Sequence, residues 1–202
     1  MKNQSKIHRL ILYRLSLLHF KSLGFKRIFS YTISNEVGVS PEQVRKDFSE
    51  FQIRGNKKAG YEIDDLLEDF GKIFKKDKNH NIILVGMGKI GVALSNYQGF
   101  RDSGIIIKAA FDNDIQKHKG DYPVPVYPLE NMQNHVRQNA VKIAILAVTF
   151  DAAQTVTNLL VDSGIKGIMN FTNANLRVPD HIHVIYVSLT NTLESLIFLT
   201  NQ

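Results

Sequence analysis

A glycine-rich stretch in the middle of the chain places the strongest constraint on how these 202 residues can fold. Gly86, Gly88 and Gly91 lie in ILVGMGKIGVAL, after an apolar run and before a pattern typical of a helix. In a strand–loop–helix unit, the first glycine permits a tight turn, the second lets a pyrophosphate approach the backbone, and the third lets the helix pack on the strand. The stretch therefore predicts a dinucleotide-binding loop formed by Gly86, Met87, Gly88, Lys89, Ile90 and Gly91.

The sequence after about residue 79 alternates between apolar runs and helical patterns. The runs NIILVG, IIIKAAFD, VKIAILAV, IKGIMNF and IHVIYVS have the length and composition of strands that are buried on both faces. Between them, KIGVALSNYQGF and DAAQTVTNLLVDSG predict helices, the second of which ends at Gly164. Such alternation predicts an α/β domain with a Rossmann-like, doubly wound parallel sheet.

An acidic residue lies where this fold would bind a ribose. Asp112 ends the second predicted strand, 21 residues after Gly91. A carboxylate there binds ribose hydroxyls and repels a 2′-phosphate, which favours NAD(H) over NADP(H) as the cofactor. Lys89 weighs slightly against this preference, because its ammonium could contact a phosphate. Another adenine nucleotide, such as coenzyme A, and a glycine turn without a ligand both stay open.

The sequence before residue 78 has helical spacing. A first helix is predicted by one apolar face, which contains Ile7, Leu10, Ile11, Leu15 and Leu18. A short second helix, from about Thr32 to Val37, is expected to end at Gly38, because glycine readily adopts the left-handed conformation of a helix stop.

A third helix is predicted in VSPEQVRKDFSEF. Ser40 provides a cap, Pro41 suits the first helical position, and Gln43 completes a Ser-x-x-Gln capping box. Its apolar stripe is Val44, Phe48 and Phe51, and its solvent face is Gln43, Arg45, Lys46 and Ser49. A short helix, a turn and a well-capped second helix predict a helix-turn-helix.

Positive charge is concentrated in this first part. Residues 1–58 hold 12 Lys and Arg against 4 Asp and Glu, whereas residues 79–202 hold 9 of each kind. The segment QIRGNKKAGYEI predicts a basic hairpin, or wing, that carries Arg54, Lys57 and Lys58. Arg45 or Lys46 could then read guanine edges while the wing neutralises phosphates, so the partner is expected to be double-stranded DNA. A protein-binding three-helix unit is the alternative.

Several function classes lack support in the sequence. Without cysteine, the chain has no disulfide, thiolate nucleophile or Cys-based zinc site, and no metal site is expected. None of the seven histidines lies in a recognisable catalytic motif, so we expect no catalytic residues and no enzyme activity. No apolar run is long enough to span a membrane, which favours a soluble cytoplasmic protein.

Together these motifs resemble the Rex family of redox-sensing transcriptional repressors. The resemblance covers nearly the whole chain and is most specific in VSPEQVRKDFSEF, NIILVGMGKIGVAL, SNYQGF, KAAFDND, DAAQ and GIKGIMNF. It implies a winged-helix DNA-binding domain over residues 1–78, a Rossmann domain over 79–188 and a domain-swapped helix over 189–202. NADH and NAD+ would compete for one site in a homodimer, and their balance would control binding to a palindromic operator.

The resemblance also implies roles for particular residues. Tyr97 matches the tyrosine next to the nicotinamide, and Val148 belongs to the expected cofactor site. Gln43, Arg45 and Lys46 match the recognition helix and are the expected DNA contacts on it. The segment LTNTLESLIFLTNQ matches the exchanged C-terminal helix, whose apolar residues are Leu193, Leu196, Ile197 and Leu199. Packing of this helix on its own subunit is the alternative. A small NAD-dependent oxidoreductase and a coenzyme A-binding regulator are the alternative functions.

The chain departs from the family pattern at several positions. The family has an arginine in the first helix where this chain has Leu15. The aspartate that pairs with this arginine near the C-terminus is replaced by Ser188, so both members of a pair that couples the domains are replaced. The wing has Lys57-Lys58-Ala59 before Gly60, and Ala147-Val148-Thr149 replaces Thr-Val-Pro. Asn170-Phe171-Thr172-Asn173 replaces Asn-Phe-x-Pro. We expect the fold to be kept, whereas an altered preference between NADH and NAD+ and a different nucleotide both stay open.

Overall fold

The computed structural model describes residues 2–53, 60–74 and 79–201. The chain forms two compact units, Met1–Lys78 and Asn79–Gln202. The predicted wing residues Arg54, Lys57 and Lys58 lie outside the described residues. In the part of the chain that is described, no helix combines the length and apolar character needed to cross a membrane.

The first unit consists of helices around one small core. Its elements are α1 (Lys2–Ser22), β1 (Arg27–Ile28), α2 (Ser30–Val37), α3 (Pro41–Glu50), β2 (Tyr61–Glu62) and α4 (Ile63–Ile73). α2 ends as predicted at Gly38, which has a φ of +73°. α3 begins at Ser40, whose hydroxyl accepts a hydrogen bond from the Gln43 backbone N–H at 3.2 Å.

The apolar face predicted for α1 is wrong in register. Leu10, Tyr13 and Leu17 are buried against the other helices. Four of the five predicted residues, all but Leu10, are instead 39–52% exposed, namely Ile7, Ile11, Leu15 and Leu18. α1 therefore carries two neighbouring apolar stripes, and the buried one is the stripe that brings the Tyr13 hydroxyl to a partner inside the core.

The described residues on the two sides of the expected wing show how its ends are held, while the wing residues themselves lie outside the described residues. β2 pairs antiparallel with β1, with Arg27 opposite Glu62 and Ile28 opposite Tyr61. Before the wing, the last described residues, 51–53, do not form a strand, and Gln52 has a left-handed φ of +59°. In the described residues, the strand after the wing is thus anchored to the segment between α1 and α2.

The second unit is built on six parallel strands. They are β3 (His80–Val85), β4 (Ile105–Phe111), β5 (Val126–Tyr127), β6 (Ile143–Leu146), β7 (Gly167–Asn170) and β8 (His183–Tyr186). Their order is β5-β4-β3-β6-β7-β8, which is the usual Rossmann order, so the predicted doubly wound parallel sheet is confirmed. β5 was not predicted, because two residues are too short to produce a pattern.

Helices cover both faces of this sheet. They are α5 (Lys89–Ser95), α6 (Gln98–Asp102), α7 (Met132–Gln138) and α8 (Phe150–Asp162), whereas the last helix, α9 (Leu189–Thr200), follows β8 and has no buried residue. Ile83 and Val85 belong to the core with α7 and α8, whereas Ile82 and Leu84 belong to the core on the opposite face. Short 3-10 helices cover Ile115–Lys119 and Leu129–Asn131.

The helix predicted over KIGVALSNYQGF is two helices. It breaks at Asn96 and Tyr97, between α5 and α6. The side chains of Ser95 and Asn96 donate hydrogen bonds to the Val92 carbonyl, at 2.8 and 2.9 Å. Such side-chain bonds compete with the helical ladder, which explains why the helix ends there.

Candidate nucleotide site and nucleic-acid interface

The glycine loop lies at the point where the sheet reverses its order, between the carboxyl ends of β3 and β6. Gly86 has a φ of +99°, which favours glycine. A Cβ at this position would lie 2.4 Å from the Ala147 carbonyl oxygen. The backbones after β3 and β6 therefore approach each other so closely that a side chain does not fit.

Gly91 and Gly88 have different surroundings. A Cβ at Gly91 would lie 1.9 Å from the Gly86 carbonyl oxygen, so α5 packs directly on the loop, as the sequence predicts. A Cβ at Gly88 would have no heavy atom within 4 Å. The open side of Gly88 belongs to a cavity of about 250 Å³, next to the start of α5, where backbone N–H groups lack helical partners.

This cavity brings together four of the predicted cofactor residues: Gly86, Gly88, Asp112 and Val148. The other loop positions have structural or surface roles, because the Met87 side chain is buried in the core and Ile90 is 44% exposed. Lys89, at the start of α5, is exposed as well. A wider groove of about 730 Å³ adjoins the cavity and shares Asn113, Leu129, Ala152 and Val156 with it.

Asp112 is held at the end of β4 by several donors. Its Oδ2 accepts from the Met87 N–H at 2.6 Å and from the Lys117 Nζ at 2.9 Å, and its Oδ1 accepts from the Asp114 N–H at 2.8 Å. Burial opposes ionisation of this carboxyl, but the bonds from Asp114, Met87 and Lys117 outweigh it and lower the pKa of Asp112. The cavity thus contains an ionised carboxylate at the expected ribose position.

Lys117 was missed by sequence reasoning. It forms an ion pair with Asp112, and only 27% of its side chain is exposed. It lines the same cavity. In the sequence, Lys117 is only a cation five residues after Asp112. That spacing is ordinary for a surface loop and does not predict a contact.

Tyr97 lies in another place. It lines a separate cavity of about 290 Å³ near the amino end of β4, together with Phe100 and Arg101. Its ring contacts Phe100 edge to face, with 5.0 Å between the ring centroids. Within the described residues of one subunit, the structure does not bring Tyr97 to the glycine loop.

Two loops that depart from the family pattern, residues 147–149 and 170–173, lie next to the nucleotide cavity and at the end of β7. Ala147, Val148 and Thr149 all line the nucleotide cavity. Buried Asn170 accepts from the Thr172 N–H at 2.9 Å, and its amide donates to the Ala174 carbonyl at 3.0 Å. These side-chain bonds shape the turn after β7 without a proline.

The arrangement offers binding groups more than catalytic ones. Among the described residues, no group of three or more His, Asp and Glu side chains is placed to hold a metal. His118 Nε2 lies 2.7 Å from the Asp112 carbonyl oxygen. His135 is packed against Phe111 and Tyr127, and burial lowers its pKa.

In the first unit, α3 presents basic side chains to solvent. Arg45 and Lys46 are exposed. The Arg45 guanidinium contacts Glu42 at 2.7 Å and the Ser30 hydroxyl at 3.1 Å. Gln43, expected to face solvent and complete a capping box, is only partly exposed, and its amide nitrogen donates to Asp47 at 2.8 Å.

Asp47 forms a polar cluster that the sequence did not predict. Its carboxylate is 1% exposed and accepts from Arg9 Nε and Nη2 at 2.7 and 2.8 Å, and from the Tyr13 hydroxyl at 3.0 Å. Burial alone would raise the pKa of Asp47, but bonds from Arg9, Tyr13 and Gln43 lower it. Burial and the bond to Asp47 raise the pKa of Tyr13 to about 12. The cluster joins α1 to α3.

Comparison with protein families gives two matches. Residues 4–49 match a family described as "Putative DNA-binding protein N-terminus". Residues 77–174 match a family described as "CoA binding domain". The two matches fall on the unit with the helix-turn-helix and on the unit with the glycine loop.

Relatives are similar over nearly the whole chain. The redox-sensing transcriptional repressors Rex of Listeria welshimeri and Bacillus subtilis are 37% and 39% identical, over 96% and 98% of this chain and 91% and 94% of theirs. RSP, a Rex-family repressor, shares 32% identity over 98% of this chain. The structure of RSP itself has a TM-score of 0.88 to this chain, with 94% of RSP covered. Its complex with β-NAD+ and operator DNA has a TM-score of 0.92 with 92% covered, and its complex with β-NADH has 0.86 with 93% covered.

Proposed function

Because this chain belongs to the Rex family of redox-sensing transcriptional repressors, we propose that it is a repressor whose affinity for operator DNA changes with the binding of NADH or NAD+. The observation that carries the proposal is the cavity in which the open side of Gly88 lies near the ionised Asp112. Both features fit an adenine dinucleotide. The loop from Gly86 to Gly91 would hold the pyrophosphate, and Asp112 would hold ribose hydroxyls.

The nucleotide acts in this proposal as a regulatory ligand. RSP supports this role, since its structures include one complex with β-NAD+ and operator DNA and another with β-NADH. NADH and NAD+ differ in the charge and planarity of the nicotinamide ring, so they can stabilise different arrangements of a subunit. A ligand then shifts the equilibrium by its difference in affinity for the two arrangements, and no reaction of the cofactor is needed.

DNA contact is assigned to the exposed face of α3. Arg45 and Lys46 lie near the amino end of this helix, the part that reaches base edges in a helix-turn-helix. Arg45 would exchange its exposed ion pair with Glu42 for a base or phosphate, a small loss because exposed ion pairs contribute about 0–1 kcal/mol. Arg54, Lys57 and Lys58 stay predicted contacts of the wing. With DNA as its target, we expect the protein to act in the cytoplasm.

A homodimer completes the proposal, with α9 exchanged between subunits. Ser188 begins this helix by accepting from the Asn191 N–H at 3.2 Å. Leu15 is 52% exposed on α1. Neither position carries a charge, so coupling between DNA binding and nucleotide binding in this chain does not use an ion pair between residues 15 and 188.

The experiment that tests the function is operator binding titrated separately with NADH, NAD+ and coenzyme A. Coenzyme A is included because residues 77–174 match a family described by its binding. We expect NADH to change operator affinity relative to NAD+ by about 5–150-fold, the usual range of allosteric coupling. A shift by coenzyme A alone would favour the coenzyme A-binding regulator, and no shift by any ligand would refute nucleotide sensing.

A double substitution separates the two binding activities. Arg45→Ala with Lys46→Ala should abolish operator binding and leave NADH affinity unchanged, because these side chains lie on α3 of the first unit. Unchanged operator affinity in the double variant would contradict the assigned DNA contacts.

A further inference from the structure

The contacts of a short 3-10 helix hold Lys117 beside Asp112. Lys117 lies in the 3-10 helix Ile115–Lys119, which is capped by Asp114, and the Asp114 carboxylate accepts from the Gln116 N–H at 3.0 Å. The next residue, His118, bonds through Nε2 to the Asp112 carbonyl at 2.7 Å. The helix is thereby fastened to the residue that Lys117 pairs with, and the ammonium is held at the cavity wall.

Asp112 and Lys117 together have hydrogen-bonding positions that their described contacts do not use. Among the described contacts, Asp112 Oδ2 accepts two bonds and Oδ1 accepts one, from the Asp114 N–H. A carboxylate has about four acceptor positions, so one remains on Oδ1. An ammonium has three donors, and the Lys117 Nζ uses one on Asp112, with Asp114 farther away at 3.9 Å. The pair therefore offers an acceptor and donors side by side.

We propose that Lys117 determines the ribose specificity of the nucleotide site, acting with Asp112 as a pair that binds ribose hydroxyls. One hydroxyl donates to Asp112 Oδ1, and a hydroxyl oxygen accepts from the Lys117 Nζ. This inference rests on the proposed function, since it requires an adenine dinucleotide in the cavity.

The charge of Lys117 sets how strongly a phosphorylated ribose is rejected. A 2′-phosphate carries nearly two negative charges and would meet the Asp112 carboxylate. Lys117 offsets part of that repulsion, because its ammonium lies 2.9 Å from the same carboxylate. Removal of Lys117 should therefore penalise NADPH much more than NADH, and neutralisation of Asp112 should do the opposite by leaving the cation unopposed.

The test compares NADH with NADPH, which differ only in the 2′-phosphate. Dissociation constants for the full chain are measured by calorimetry, and the readout is the ratio of the NADPH constant to the NADH constant. We expect Lys117→Met to raise this ratio about tenfold and Asp112→Asn to lower it about tenfold or more. Lys117→Arg should keep the ratio near that of the parent.

Lys119→Met is the matched control. Lys119 lies two residues away, is exposed and carries the same charge. Its loss should leave the ratio within about twofold of the parent, because distant exposed charges are screened. An equal weakening of both nucleotides in Lys117→Met would overturn the inference, since Lys117 would then only position Asp112. A parent protein that binds neither nucleotide would instead refute the proposed function and the inference with it.

Discussion

Asp47 is a carboxylate inside the core of the first unit, and Arg9, Tyr13 and Gln43 offset the cost of burying it. Asp47→Ala would leave the partly buried Arg9 guanidinium and the Tyr13 hydroxyl without this acceptor. Breaking a buried pair on one side typically costs about 3–5 kcal/mol. We expect a loss of that size in the free energy of unfolding, measured by urea denaturation of the full chain.

Glu50→Ala provides the matched control for Asp47→Ala. Glu50 lies on the same helix and pairs with Lys6, but 43% of its side chain is exposed. Exposed pairs contribute about 0–1 kcal/mol, so this variant should be nearly as stable as the parent. Equal losses in the two variants would show that the Asp47 cluster does not hold α1 to α3.

At the scale of elements, α5 depends on a direct contact with the glycine loop. Gly91→Ala would place a Cβ 1.9 Å from the Gly86 carbonyl oxygen. On an exposed helix, Gly→Ala stabilises by up to about 1 kcal/mol, whereas overpacking costs about 1–3 kcal/mol. We expect destabilisation on thermal unfolding and loss of NADH affinity. Gly88→Ala is the comparison: its Cβ enters open space, so it should lower NADH affinity without lowering stability.

The elements also show how far sequence reasoning reaches. The large strands were predictable because apolar runs leave a strong local pattern. The glycine loop was predictable because Gly86 and Gly91 lie where a side chain does not fit and Gly88 leaves one side open to the cavity. The buried stripe of α1 was not, because both stripes are apolar and the buried one differs in contacts that are distant in sequence, such as the bond from Tyr13 to Asp47, 34 residues away. Lys117 was missed for the same reason, since its contact with Asp112 has no local signature.

At the scale of the whole molecule, the apolar surface of α9 is exposed to solvent in a single subunit. The large apolar side chains of α9 are 55–69% exposed, namely Leu189, Leu193, Leu196, Ile197, Phe198 and Leu199. A helix of 12 residues is marginal by itself in water. Burying each such side chain contributes about 1.5–3 kcal/mol, so a second copy that covered this helix, as in the proposed homodimer, would stabilise it. A two-fold dimer would also match an operator with two half-sites.

We therefore expect substitution of α9 to convert the proposed dimer to monomers. Leu193→Asn with Ile197→Asn changes two side chains one helical turn apart that are already 59% and 58% exposed in the single subunit. The subunit should keep its fold by circular dichroism, while sedimentation equilibrium should show a shift to the monomer and operator affinity should fall. Glu194→Gln, on the same helix, should remain dimeric. A double variant that stays dimeric at the same concentration would contradict exchange of α9, because the apolar face would then have no role in assembly.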